Sequence, residues 1–184
     1  MIKLSKTESL ENNDLELPFQ YGKIVEDEEN RLKIAADTEQ VDLLLELANC
    51  LNPPYYILYV LVVSRLSNKL GRYQSPLFET KDELTTFLYE FKSYLATDAR
   101  HHLWIGTIDN SGLLVYDQHN VIYAYGNLDS YRPILKKNGY TEKPFDFPAP
   151  HVHNYHQEND IFEERIINTF DWQIFPLDEE SDLY

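Results

Sequence analysis

The stretch "HLWIGTIDNSGLLVYDQHNVIYAY", residues 102–125, decides the fold. His102 to Ile108 reads as a strand, and Asp109-Asn110-Ser111-Gly112 as a turn. Leu113 to Asp117 returns as the second arm of a hairpin. Gln118-His119-Asn120 then turns the chain into Val121–Tyr125. Aromatic and β-branched residues between short polar turns define three antiparallel strands in sequence order.

Working outward, Tyr55–Arg65 opens with YYILYVLVV, a run apolar on both faces, so it is expected to be a central strand. GKIVEDEENRLKIA (22–35) reads as two short strands around an acidic turn. Helices are expected where apolar residues recur every three or four positions. One follows an Asp37 N-cap through Val41, Leu44, Leu45 and Leu47, and ends before Pro53-Pro54. Another starts at a Thr80/Glu83 capping box and carries Leu84, Phe87, Leu88, Phe91 and Leu95. LDSYRPILKKNG, stopped by Asn138-Gly139, and 159–168 supply two more, with a last strand at 170–175. Residues 67–76 are expected to be a long polar loop, and the prolines at 144, 148 and 150 an extended connector. Helices interleaved with antiparallel strands predict one α+β domain over 21–176, a mainly antiparallel sheet with helices packed on it. Residues 1–20 are expected to be a loose acidic arm and 177–184 an acidic tail.

Charge sets the classes of partner. The chain carries −15 over 184 residues. Eight acids and three bases fall in 1–30, and nine acids and one base in 157–184, so the body between is nearly neutral. Such a chain is not expected to bind nucleic acid or an anionic membrane, since phosphate binding needs clustered Lys and Arg. The longest apolar run, Tyr55–Val63, falls well short of a bilayer span. The N-terminus has no apolar core of a signal peptide, and a cytoplasmic location is the simplest expectation. The single cysteine, Cys50, excludes an intrachain disulfide and a multi-thiolate zinc site, and its apolar helical setting reads as an inert thiol. There is no GxGxxG, no GxxxxGK[ST] and no GxSxG, hence no phosphate cradle and no nucleophile elbow.

The chemistry concentrates in "HVHNYHQE", 151–158. On a strand, His151 and His153 point to one face and can share a cation, with His156 or Glu158 as a further ligand. His101, His102 or His119 of the meander are further candidates. This reading implies a metal-dependent enzyme or a metal-binding sensor, with a divalent transition metal as its cofactor. The spacing His-x-His-x4-Glu resembles the core of the first cupin motif. The flanking positions, Phe145 and Arg165, lack its glycines, and no histidine follows His156, so the cupin fold is not expected. Elsewhere, His102, Trp104 and Gly106 share one strand face suited to lining a small-ligand pocket.

The leading expectation is a non-enzymatic module without cofactor that binds a basic protein. Fourteen tyrosines and an acidic surface suit such an interface. The expected contact residues are Arg72, Tyr73, Gln74, Trp104, Tyr116, Tyr123, Tyr125 and Tyr155. In general character this resembles immunity proteins that occlude bacterial toxins, although no motif here marks such a family.

Overall fold

The computed structural model describes residues 1–184 apart from Glu11, Asn12, Thr38, Glu179, Leu183 and Tyr184. The meander forms as expected: β7 (His101–Thr107), β8 (Gly112–Tyr116) and β9 (Val121–Gly126) pair in order. They sit in the middle of a nine-stranded sheet. On one side follow β5 (Tyr55–Leu61), β6 (Gly71–Gln74) and β12 (Gln173–Phe175). On the other follow β4 (Arg31–Ala35), β3 (Ile24–Asp27) and the short β10 (Thr141–Glu142), which alone is parallel to its neighbour. The helices are α1 (Gln40–Ala48), α2 (Lys81–Glu90), α3 (Lys92–Thr97), α4 (Leu128–Lys137) and α5 (Asp160–Ile167). The molecule is therefore α+β and mostly antiparallel. No helix among the described residues is long and apolar enough to cross a membrane.

The pleat explains where the core lies. Tyr55, Ile57 and Tyr59 of β5, Leu103 and Ile105 of β7, Leu114 and Tyr116 of β8, and Ile122 and Ala124 of β9 are buried together with Leu44, Leu47, Phe87, Leu88, Tyr94 and Leu135 of the helices. On the opposite face Tyr21 and Phe145 pack on Ala35 and Val121 at one end, and Val60 and His102 are buried farther along, where His102 meets the C-terminal segment at Asp182.

Four expectations need correction. The first 20 residues are not a loose arm. β1 (Leu4–Leu10) and β2 (Asn13–Pro18) pair antiparallel, and β11 (His151–His153) adds to β1 to make a separate three-stranded sheet. Lys3 and Leu4 are fully buried there. The pairing of this polar segment rests on backbone hydrogen bonds, and Lys3, just before β1, is anchored by Nζ donating to the Leu95 and Asp117 carbonyls. Second, 67–76 is not all loop: Arg72, Tyr73 and Gln74 lie in β6, between β5 and β12. Third, Asp37 is not the N-cap of α1; Glu39 holds that position, without a side-chain cap bond. Fourth, the helix through Leu95 is broken at Phe91 into α2 and α3, although the Thr80/Glu83 capping box at its start is present.

The acidic C-terminal segment is held to the sheet. Arg72 donates from Nε and Nη2 to the two oxygens of Asp182, each at 2.8 Å, and Asp182 is buried. A second buried charge network joins β7 to α5. Arg100, itself fully buried, donates to Asp98 at 2.7 Å and 3.0 Å, and also to Glu163 and to Asp160.

Candidate metal centre

Three histidines from two distant stretches of chain meet where the small sheet lies against the large one. His119, His151 and His153 each place a ring nitrogen within 4.8 Å of the other two. Their ring centroids are 4.8 Å (His119–His153), 5.0 Å (His151–His153) and 5.2 Å (His119–His151) apart.

Local structure sets each ring. β11 pairs with β1 in the register Leu4↔His153 and Lys6↔His151, and the period of two sends both imidazoles to one side. His119 is held by the turn between β8 and β9. The Asp117 Oδ1 accepts the backbone N–H of His119 at 2.8 Å and of Val121 at 2.9 Å. Asn120 completes the turn at φ 62°, a left-handed conformation that asparagine tolerates.

Hydrogen bonds then assign the protons. His119 Nδ1 lies 3.0 Å from Asp117 Oδ2, and an ionised carboxylate can only accept, so Nδ1 carries the hydrogen. Burial alone raises the Asp117 pKa, but the bond and charge of His119, together with His102 and the Val121 N–H, hold it below the ordinary carboxylate value. His151 Nδ1 donates to the Pro148 carbonyl at 2.8 Å. In both rings the lone pair is left on Nε2. A carboxylate or carbonyl behind an imidazole is the arrangement that orients metal-bound histidine and raises its basicity. His153 supplies the third nitrogen. Its Nε2 is buried with no hydrogen-bond partner. Burial, then the neighbouring His119 and His151, lower its pKa to about 4, so the ring is neutral at pH 7. Phe147 covers the group, stacked on His119 at 4.4 Å and 13°.

Three imidazole nitrogens suit a borderline transition ion such as zinc, copper or nickel, whereas magnesium and calcium prefer oxygen. At a tetrahedral zinc, nitrogens about 2.0–2.1 Å from the ion stand about 3.4 Å from each other. A pair 4.8 Å apart would close by about 1.4 Å on binding, a movement that rotation of the imidazoles about their side-chain bonds has to supply.

The other expected ligands lie elsewhere. His156 donates from Nε2 to the Ile2 carbonyl at 2.8 Å, and its backbone N–H goes to Asp98. Glu158 is exposed on the 3-10 turn Gln157–Asn159. The reason is geometric: β11 ends at His153, so strand alternation does not carry as far as His156. His151 and His153 are half-buried on β11. His101 is buried between Tyr94 and Tyr59, and His102 bonds the Asp182 carbonyl at 3.1 Å.

The expected protein-contact residues divide by pleat. Trp104, Tyr123 and Tyr125 line a cavity of about 360 Å³ on the open sheet face, with Arg31, His102 and Asp117. Arg72 stands 5.6 Å from the Trp104 ring but is taken up by Asp182. Gln74 follows two residues on in β6 and is half-buried. Tyr73 and Tyr116 are in the core and so are not contact residues. Tyr155 is half-buried beside the charges of Asp98 and Arg100.

Comparison with known proteins finds no family model, no curated protein and no solved structure that matches the chain.

Proposed function

We propose that this protein binds one divalent transition ion of the zinc type through His119, His151 and His153, and that the ion fastens the N-terminal sheet to the central meander. The observation that carries this is the buried, unpartnered Nε2 of His153, beside two rings whose other nitrogens are already committed to Asp117 and Pro148. A buried polar atom without a partner costs on the order of 1–3 kcal/mol, and an ion at this point removes that cost. The chemistry it supplies is cross-linking: β11 and the β8–β9 turn are joined through one atom. Asp117 positions His119 and offsets part of the ion's charge.

A three-nitrogen set leaves a coordination position for water or a further donor. An ion bound only by the folded chain stabilises it by about 4 kcal/mol at a concentration 1,000 times its Kd. The test is a calorimetric titration of zinc into chelator-stripped protein, repeated with His153→Ala. Near-unit stoichiometry that disappears in the variant supports the reading. Equal binding by both proteins refutes it.

A further inference from the structure

A second feature involves none of the histidines. Between α2 and the segments 76–79 and 169–170 runs a groove of about 490 Å³, within the range of small-molecule and peptide-anchor sites. Its floor is aromatic. Phe78, Phe87 and Phe170 pack mutually, with ring centroids 5.5 to 5.7 Å apart. Phe78 and Phe87 are nearly buried, while Leu77 on the wall is 45% exposed. The rim is acidic: Glu79, Asp82, Glu83 and Glu90.

The four carboxylates are not equally free. Glu83 closes the capping box, accepting the N–H groups of Glu79 and Thr80. Glu90 pairs with Arg165 at 2.6 Å. Glu79 and Asp82 have no basic partner among the described residues. Lys81, between them in sequence, turns away to the Asn49 carbonyl at 2.8 Å.

We infer that this groove docks a basic, amphipathic segment of a partner protein: a Lys or Arg whose aliphatic stem lies on the phenylalanines and whose cation meets Asp82 and Glu79, flanked by apolar residues. Charge complementarity selects this occupant. The phenyl faces favour a cation as well as a hydrocarbon stem, and the rim repels an acidic peptide. The chain's net charge of −15 speeds encounter with such a partner. The expected basic partner thus gains a docking place on the helical side, away from the tyrosines of the sheet.

The probe is a fluorescent twelve-residue peptide of alternating leucine and arginine, read by anisotropy and by ring-proton shifts of Phe78, Phe87 and Phe170. Controls are the leucine–glutamate and serine–arginine analogues. Saturable binding at micromolar concentration is expected, with shifts at the three phenylalanines. Exposed-rim reversal, Glu79→Lys with Asp82→Lys, should weaken it at least tenfold. Thr86→Trp, an exposed change on α2 that fills the groove mouth, should do the same without touching the core. Equal affinity for the serine–arginine peptide, or unchanged binding by both variants, would overturn the proposal. So would shifts confined to other surfaces.

Discussion

At His153 the chemistry turns on one lone pair. Its neighbours His119 and His151 each have a hydrogen-bonded partner for Nδ1; His153 Nε2 has none. Asp117 is the positioning residue: it accepts two backbone N–H groups and one imidazole N–H. Replacing Asp117 by Asn keeps the shape but removes the charge behind His119. Metal affinity is then expected to fall about 10–100-fold, read by competition against a chromogenic chelator. A change below twofold would show that His119 is oriented by the turn alone. Two of the three ligands were legible in the chain, since His151 and His153 sit two apart in a short strand. The third member was one of several histidines in the meander. Its signal was local: Asp117 two residues before His119, the spacing at which a carboxylate caps its own turn. His156 and Glu158 had the right chemistry but stand beyond the end of the strand.

Elements with apolar periodicity were readable, and those without it were not. The meander, β5, α4 and the capped start of α2 follow from alternation, caps and turns. β1 and β2 do not, because their sequence is polar and their place depends on β11, some 140 residues away in the chain. β6 is four residues of mixed character made a strand by neighbours on both sides. The N-terminal sheet yields its own prediction. Leu4 is fully buried opposite His153, so Leu4→Ala should destabilise the protein by about 2–5 kcal/mol in urea unfolding. The same change in a solvated arm would cost almost nothing.

Across the whole molecule, buried bases set the pH response. His101, His102 and His153 all have folded pKa values below the ordinary 6.5, mainly through burial. Between about 4 and 6.5 the unfolded chain therefore binds more protons at His153, and stability is lost as pH falls through that window. Lys3 acts in the same direction at higher pH. Burial lowers it from 10.5 to about 7, so its contribution improves as pH rises across that range. Buried tyrosines, raised by burial, reverse the trend above their ordinary value of 10. Thermal melts of the chelator-stripped protein from pH 4 to 10 should show the Tm rising through neutrality to an optimum on its alkaline side. A maximum near pH 5 would contradict the burial of these groups. Fold class was readable at this scale because it sums many periodic segments. The meeting of two sheets at three histidines was not, because it needs tertiary placement.

The most direct measurement is elemental analysis of untagged protein, followed by zinc titration of the chelator-stripped form and of His119→Ala/His153→Ala. The account predicts about one tightly held equivalent, a raised Tm on loading, and loss of both in the double variant. No bound metal, together with a Kd no tighter than roughly millimolar, about 4 kcal/mol of binding, would contradict it.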